Sequence, residues 1–307
     1  MDDKFNVSHI TLSGHVEINK YRYLYFSVLF TVYMLIILMN CIIVYLICVH
    51  KDLHEPMYIF IAALLLNSVL YSTTVYPKLL IDFLSKKQII SYSACLFQFF
   101  TLYSIGASDF LILTAMGYDR YVSICKPLRY TNIMTKTTVN ILLILAWFLP
   151  ACHMAVLAIV SAEAKLCNLE LKGMFCNNEV YTLHCVRSRV ITVFGVLCLI
   201  NLALSPMLFT VFTYTKILVI SYRSCKETRR KAAETCLPHL LVLVNTFWLL
   251  SYDVIIARVE SELPKSVRII LTLQAILYHP LFNPVIYGFK MKKISKHLKK
   301  LFCSSKI

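Results

Sequence analysis

The sequence has few charged residues and very little glycine. Only 15% of its 307 residues are Asp, Glu, Lys or Arg, whereas a soluble domain carries about 25%. Too little polar surface is therefore present to cover a water-soluble globule. Six glycines and nine prolines also exclude collagen-like, linker-rich and low-complexity chains. Apolar side chains instead make up 59% of the residues, and the mean hydropathy is +0.69. Among the broad classes, this composition leaves an integral membrane protein.

Seven stretches contain no Asp, Glu, Lys or Arg. A bilayer core about 30 Å thick requires roughly 20 apolar residues in a helix, and backbone groups in lipid must be satisfied within the segment. We therefore predict an all-α membrane protein, a seven-transmembrane helix bundle with a short amphipathic helix at the C-terminus. The third helix can continue past Asp109, which makes that residue a buried acid. When these charge-free runs are extended to helix length, the predicted spans are about 24–49, 57–81, 91–122, 137–161, 190–219, 234–257 and 268–289.

The charged residues between these spans and at their ends predict the orientation in the membrane. One set of loops, together with the C-terminal tail, carries 18 of the 31 basic residues and only five acidic ones. By the positive-inside rule this side is cytoplasmic, so residues 1–23 are extracellular and the amphipathic helix and tail at 290–307 are cytoplasmic. Residues 1–23 are polar and do not resemble a cleavable signal peptide, so we expect the first span to direct insertion. The excess of positive charge indicates attraction to membrane lipid rather than to nucleic acid.

Four of the twelve cysteines lie on the predicted exterior side: Cys95, Cys167, Cys176 and Cys185. An even number of cysteines in an oxidising compartment favours disulfides, although four cysteines allow three pairings and the sequence does not choose among them. Their nine-residue spacing does not suit a zinc site, which requires a short pair. Asn6 begins an Asn-Val-Ser sequon on the same side, which predicts glycosylation.

Four motifs lie at matching positions on this plan. The inner end of the third helix reads MGYDRYVSICKPLRY at 116–130, and the inner end of the seventh reads NPVIY at 283–287. The second helix begins with LHEPMY at 53–58, and the sixth begins with KAAETCLPHL at 231–240. Together these motifs resemble the class A G protein-coupled receptors, and specifically the odorant receptor family. The sequence at the start of the second helix is most similar to that of the fish-type members. The resemblance covers essentially the whole chain.

The resemblance implies a receptor in the plasma membrane of olfactory cilia, with a small-molecule odorant outside and a heterotrimeric G protein of the cAMP-raising type inside. It implies no cofactor, no metal and no enzymatic activity. A class A receptor for an internal ligand, such as a peptide or lipid, remains the alternative. A transporter or channel is disfavoured because intramembrane charge is limited to Asp109 and the helix ends, whereas ion paths usually show several paired charges. The sequence also contains none of the usual catalytic motifs for an enzyme.

The resemblance also assigns a switch on the inner face. An ion pair between Asp119 and Arg120 holds the receptor closed, and a released Arg120 can reach tyrosines of the fifth and seventh helices. Proline inside the seventh helix removes a backbone hydrogen bond and produces a kink. Opening the inner end of the sixth helix then makes a groove for the C-terminal helix of a Gα subunit. The predicted switch residues are Asp119, Arg120, Tyr121, Tyr214, Asn283, Pro284 and Tyr287.

A ligand pocket is expected between the outer halves of the helices, mostly apolar with a few polar anchors. Arg258 could clamp a carboxylate bidentately. Alternatively it is a surface arginine that snorkels to the interface, or a partner for Asp253 or Glu262. A neutral hydrophobic odorant is the default ligand. The candidate pocket residues are Leu102, Tyr103, Gly106 and Ala107 of the third helix, Ile200, Asn201 and Leu204 of the fifth, and Phe247, Leu250, Ser251, Val254 and Arg258 of the sixth.

The family pattern further implies a disulfide between Cys95 and Cys176, which leaves Cys167 and Cys185 to close a second loop. Cys303, next to the amphipathic helix, is either palmitoylated or a free thiol. The chain departs from the pattern in the second helix. There Asn67 and Ser68 stand where many class A receptors have an acidic residue that holds a sodium ion.

Overall fold

A computed structural model describes residues 9–14, 18–186, 188–222, 236–246 and 265–303. Helices dominate these residues. In chain order they are α1 (Ile18–Val49), α2 (Pro56–Leu84), α3 (Tyr92–Cys125), the short α4 (Tyr130–Ile133), α5 (Lys136–Ala162), α6 (Arg189–Leu199), α7 (Ser205–Tyr222), α8 (Cys236–Thr246), α9 (Lys265–Lys290) and α10 (Lys292–Cys303). A π-helical turn at Ile200–Leu204 joins α6 and α7, so that Arg189–Tyr222 is one continuous helix.

The helices confirm the predicted seven-helix membrane bundle. Within the described residues, five are long and apolar enough to cross a bilayer: α1, α2, α3, α5 and the continuous α6–α7 helix. The shorter α8 lies inside the sixth predicted span, and α9 covers the seventh. Helix α3 runs on to Cys125 with Asp109 buried in its middle. The amphipathic helix expected at the C-terminus is α10.

Local sequence signals set several helix ends. Pro56 occupies the first turn of α2, where its missing N–H costs nothing. Ser91 caps α3 by accepting a hydrogen bond from the Ala94 amide at 3.3 Å. Thr135 caps α5 in the same way, because a hydroxyl satisfies one of the amides that the first turn leaves unpaired.

A three-stranded sheet covers the outer end of the bundle and was not predicted. Strand β1 (His9–Leu12) lies between β2 (Ile89–Ser91), to which it is antiparallel, and β3 (Glu170–Leu171), to which it is parallel. Just after β1, Gly14 lies so close to the loop that follows β3 that an added Cβ would stand 2.5 Å from the Gly173 carbonyl carbon. Residues 9–14 before the first helix therefore pack against the loops at this end of the bundle.

Candidate functional site

Arg120 and Asp119 form an ion pair at the inner end of α3. The Arg120 Nε donates to Asp119 Oδ2 at 3.0 Å, and a second guanidinium nitrogen contacts the same oxygen. The other carboxylate oxygen accepts a hydrogen bond from the Tyr130 hydroxyl at 2.8 Å. Burial raises the pKa of Tyr130, so this hydroxyl keeps the proton that it donates. Both oxygens of Asp119 are therefore engaged. Tyr130, the last residue of the motif at 116–130, is not among the predicted switch residues.

Replacing Tyr130 with phenylalanine should raise basal signalling. A hydrogen bond to a charged group contributes about 1.5 kcal/mol or more, which corresponds to roughly a tenfold shift between the closed and open states. The measurement is cAMP without ligand in cells with matched surface expression. Tyr222→Phe is the control, because Tyr222 is 79% exposed at the end of α7. Unchanged basal cAMP in Tyr130→Phe would mean that this bond does not hold the closed state.

Tyr214 of the continuous α6–α7 helix hydrogen-bonds to His239 of α8, and both side chains are buried. Their contact joins the fifth and sixth helices near their inner ends, beside the partly buried Tyr121. The imidazole of His239 was not singled out from the sequence, although it lies in the motif at 231–240. Its role depends on which helix faces it, and a motif does not reveal that.

The first helix satisfies a carbonyl that Pro284 leaves unpaired in the seventh helix. Pro284 has no N–H for the carbonyl four residues earlier, and that carbonyl, at Pro280, accepts a hydrogen bond from the Asn40 amide at 3.0 Å. Asn283 donates to the Ser68 hydroxyl of α2, also at 3.0 Å. Tyr287, three residues after Pro284, is fully buried, and its hydroxyl has no partner among the described residues.

A buried acidic residue of α3 contacts Asn67 of α2, one of the two residues at which the second helix departs from the family pattern. Asp109 is buried and accepts a hydrogen bond from the Asn67 amide at 3.1 Å. The carbonyl oxygen of Asn67 accepts the indole N–H of Trp147 at 2.8 Å. Three helices, α2, α3 and α5, therefore meet around one polar side chain in the middle of the bundle.

Helix α10 is fixed to the turn between α1 and α2. Lys293 donates to Glu55 at 2.6 Å, and the His297 imidazole donates to Asp52 at 2.9 Å. The hydrogen bond from His297 lowers the pKa of Asp52, and the one to Glu55 raises the pKa of Lys293. Both groups are therefore charged near neutral pH. The apolar side of α10 packs on the bundle through the fully buried Ile294.

The outer half of α3 and the loop above it form the candidate pocket. Leu102 is buried, while Tyr103, Gly106 and Ala107 are partly buried. The backbone N–H of Asn178 in the loop donates to the Tyr103 hydroxyl oxygen at 3.0 Å. This bond ties the loop to α3 above the space between the helices.

The pocket candidates of the fifth helix lie within the π-helical turn at Ile200–Leu204. Ile200, Asn201 and Leu204 are exposed, whereas Leu202 and Ala203 are buried. Such a turn is wider than that of an α-helix, and the spacing by which these candidates were chosen applies to a regular α-helix.

Several predicted residues lie outside the described parts of the chain. They are the sixth-helix pocket candidates Phe247, Leu250, Ser251, Val254 and Arg258, its neighbour Asp253, and the sequon residue Asn6. Cys303 ends α10.

Two disulfides tie the outer loops. Cys95, at the start of α3, joins Cys176 with a Cα separation of 5.4 Å, and Cys167 joins Cys185 at 4.8 Å. This is the pairing that the resemblance implies. Gln98 reinforces the first bridge, because its side chain accepts the Cys176 amide at 3.0 Å and donates to the Thr74 carbonyl at 2.9 Å.

Comparison with known proteins agrees with this arrangement. The family model described as olfactory receptor matches residues 29–305. The chain is similar to olfactory receptor 11A1 of Homo sapiens, with 32% identity over 97% of this chain and 94% of that protein. It is also similar to the human olfactory receptor 4S2, with 31% identity over 95% of this chain and 92% of that protein. A mouse relative, olfactory receptor 4M1, is 28% identical over 98% of the chain and 97% of its own length. With its seven-helix bundle and closed ion pair at the inner end of α3, the chain belongs to the olfactory receptor family.

Proposed function

We propose that this protein is an odorant receptor that binds a small-molecule odorant between the outer halves of its helices and activates a heterotrimeric G protein of the cAMP-raising type. It acts as a receptor and not as an enzyme. The observation that carries the proposal is the closed cluster of Asp119, Arg120 and Tyr130 at the inner end of α3. Membership of the olfactory receptor family supports it.

One helix connects the two halves of the proposed site. Tyr103 and Arg120 both lie in α3, 17 residues and therefore about 25 Å apart at 1.5 Å per residue. A ligand shifts such a two-state element only by binding one state more tightly than the other, and the G protein biases the same element from inside. In the open state we expect Arg120 to leave Asp119 and reach Tyr214 and Tyr287.

The proposal extends to placement in the cell. Residues 1–23 face the exterior, with a glycan on Asn6, and residues 290–307 face the cytoplasm, with a lipid on Cys303. The receptor lies in the plasma membrane of olfactory cilia. The basic residues of α10, among them Lys292, Lys296 and Lys299, suit the anionic inner leaflet.

Replacing Tyr103 with phenylalanine should lower odorant potency roughly fivefold. The change removes the oxygen that accepts the Asn178 N–H, and a typical net hydrogen bond contributes about 1 kcal/mol. The measurement is the concentration for half-maximal cAMP response. Tyr33→Phe is a matched control, since its hydroxyl bonds to Thr73 between α1 and α2. Equal potency in Tyr103→Phe and Tyr33→Phe would contradict a pocket beneath this loop.

The proposed function is tested by a cAMP assay in cells that express the full chain. The panel contains volatile and water-soluble odorants, carboxylic acids with their methyl esters, peptides and lipids. We expect at least one odorant to raise cAMP. If carboxylic acids give a larger cAMP response than their methyl esters, and Arg258→Ala removes that difference, Arg258 binds the ligand carboxylate. A response to peptides or lipids alone would instead support the alternative, a receptor for an internal ligand.

A further inference from the structure

A cavity lies at the outer end of the bundle, between α2, α3 and β2. Its volume is about 510 Å³, and it is lined by Thr74 and Lys78 of α2, Ala94 and Gln98 of α3, and Ile89 and Ile90 of β2. Small-molecule sites typically measure about 300–1,000 Å³. The exposed Ala94 and Ile89 show that the cavity opens outward rather than into the bundle. In contrast, Tyr76 and Leu79 of α2 pack inward with Leu102.

A buried carboxylate fixes a lysine at the wall of this cavity. The Lys78 side chain is 24% exposed and pairs with Asp82, whose side chain is 1% exposed. An ammonium has three N–H donors, and Asp82 is its hydrogen-bond partner within the described part of the chain. The remaining donors are available to a ligand. Lys86 and Lys87 follow on the exposed loop, so residues 78–98 contain three lysines and one acidic residue. The surroundings of the cavity are therefore positively charged and suit an anion.

Exposed apolar side chains extend from the cavity along the outside of α2, toward the middle of that helix. Leu66 and Leu70 are exposed, and they precede Thr74 at intervals of four residues, so all three lie on one face of α2. Phe97 of α3 is exposed as well. An occupant that uses both parts of this surface has an anionic head and an apolar tail.

We propose that this cavity binds the phosphodiester headgroup of an anionic phospholipid from the outer leaflet, with Lys78 as its charge partner and an acyl chain along Leu70 and Leu66. Asp82 acts as a positioning residue that holds the ammonium at the cavity wall. A bound lipid contacts α2, α3 and β2 together, and so stabilises the outer end of the receptor. This site is separate from the odorant pocket and does not depend on the proposed function.

The test measures lipid retention by the purified full-length receptor with native mass spectrometry in detergent. The probe is dioctanoyl phosphatidylglycerol, and dioctanoyl glycerol and glycerol 3-phosphate are compared at equal concentrations. We expect phosphatidylglycerol to bind and Lys78→Gln to weaken it about tenfold or more, because a charge-assisted hydrogen bond is lost. Lys78→Arg should retain binding. Lys86→Gln, in the exposed loop outside the cavity lining, is the control and should change it less than about twofold.

Lys78→Gln leaves the Asp82 carboxylate buried without its partner, which is destabilising. The double variant Lys78→Gln/Asp82→Asn removes both charges and should fold while still losing the lipid. Unchanged phosphatidylglycerol binding in the folded double variant would overturn the proposal. Equal binding of dioctanoyl glycerol would show that the head charge is not recognised, and equal binding of glycerol 3-phosphate would assign the cavity to a soluble anion; either result overturns it as well.

Discussion

Replacing Arg120 with alanine is expected to abolish G-protein activation while leaving surface expression largely intact. In the closed state the guanidinium is bound to Asp119 at the inner end of α3. Without it the Asp119 carboxylate keeps the hydrogen bond from Tyr130, and the apolar core loses no contact, so we expect the receptor to fold. In the open state the same group should reach Tyr214 and Tyr287, which alanine cannot do. The measurement is agonist-stimulated cAMP at matched surface expression, and we expect it to fall to the level of untransfected cells.

Two further variants distinguish this role from a structural one. Asp119→Asn removes the charge that holds Arg120, so basal cAMP should rise instead of falling. Arg129→Ala removes an exposed arginine from the turn between α3 and α4, and should leave the response near normal. Full agonist-stimulated cAMP in Arg120→Ala would contradict the assignment of the switch.

Breaking the disulfide between Cys95 and Cys176 should destabilise the receptor more than breaking the one between Cys167 and Cys185. The two cysteines are 81 residues apart, whereas Cys167 and Cys185 are 18 apart. Chain-entropy estimates give about 4.5 kcal/mol for the longer loop and about 3.2 kcal/mol for the shorter one. We therefore expect Cys95→Ser/Cys176→Ser to lose most of its folded surface receptor, and Cys167→Ser/Cys185→Ser to lose less.

Double variants are required because single ones leave a reactive thiol that can form the wrong pair. The measurement is surface expression together with the thermal stability of the purified receptor. Equal stability of the wild type and the Cys95→Ser/Cys176→Ser variant would contradict the expected order. A non-reduced peptide that joins Cys95 to Cys167 or to Cys185 would contradict the connectivity itself.

The helices could be predicted because bilayer thickness and the absence of charge act on each segment separately. A run such as 137–161 needs no partner to be recognised as a span, and α5 occupies Lys136–Ala162. The three-stranded sheet could not be predicted in this way. Its strands contain four, three and two residues and pair across distant parts of the chain, so no local periodicity marks them.

The same distinction holds for the site residues: a pair of neighbours in sequence could be predicted, and contacts between elements could not. Asp119 and Arg120 are adjacent in sequence, and their ion pair follows from the motif. Tyr130, His239 and Asn67 act through residues on other elements, and their partners are known only once the helices are packed. The π-helical turn at the fifth-helix pocket candidates could not be predicted either, because it depends on local backbone geometry that spacing rules do not include.

The central claim is that a ligand bound outside opens the inner switch to a G protein. Its most direct test is nucleotide exchange on a purified cAMP-raising G protein, with the full-length receptor in lipid nanodiscs and an odorant that raises cAMP in cells. We predict that the odorant accelerates exchange with the wild-type receptor and not with Arg120→Ala. Exchange that the odorant does not accelerate, or that it accelerates equally in Arg120→Ala, would contradict the claim.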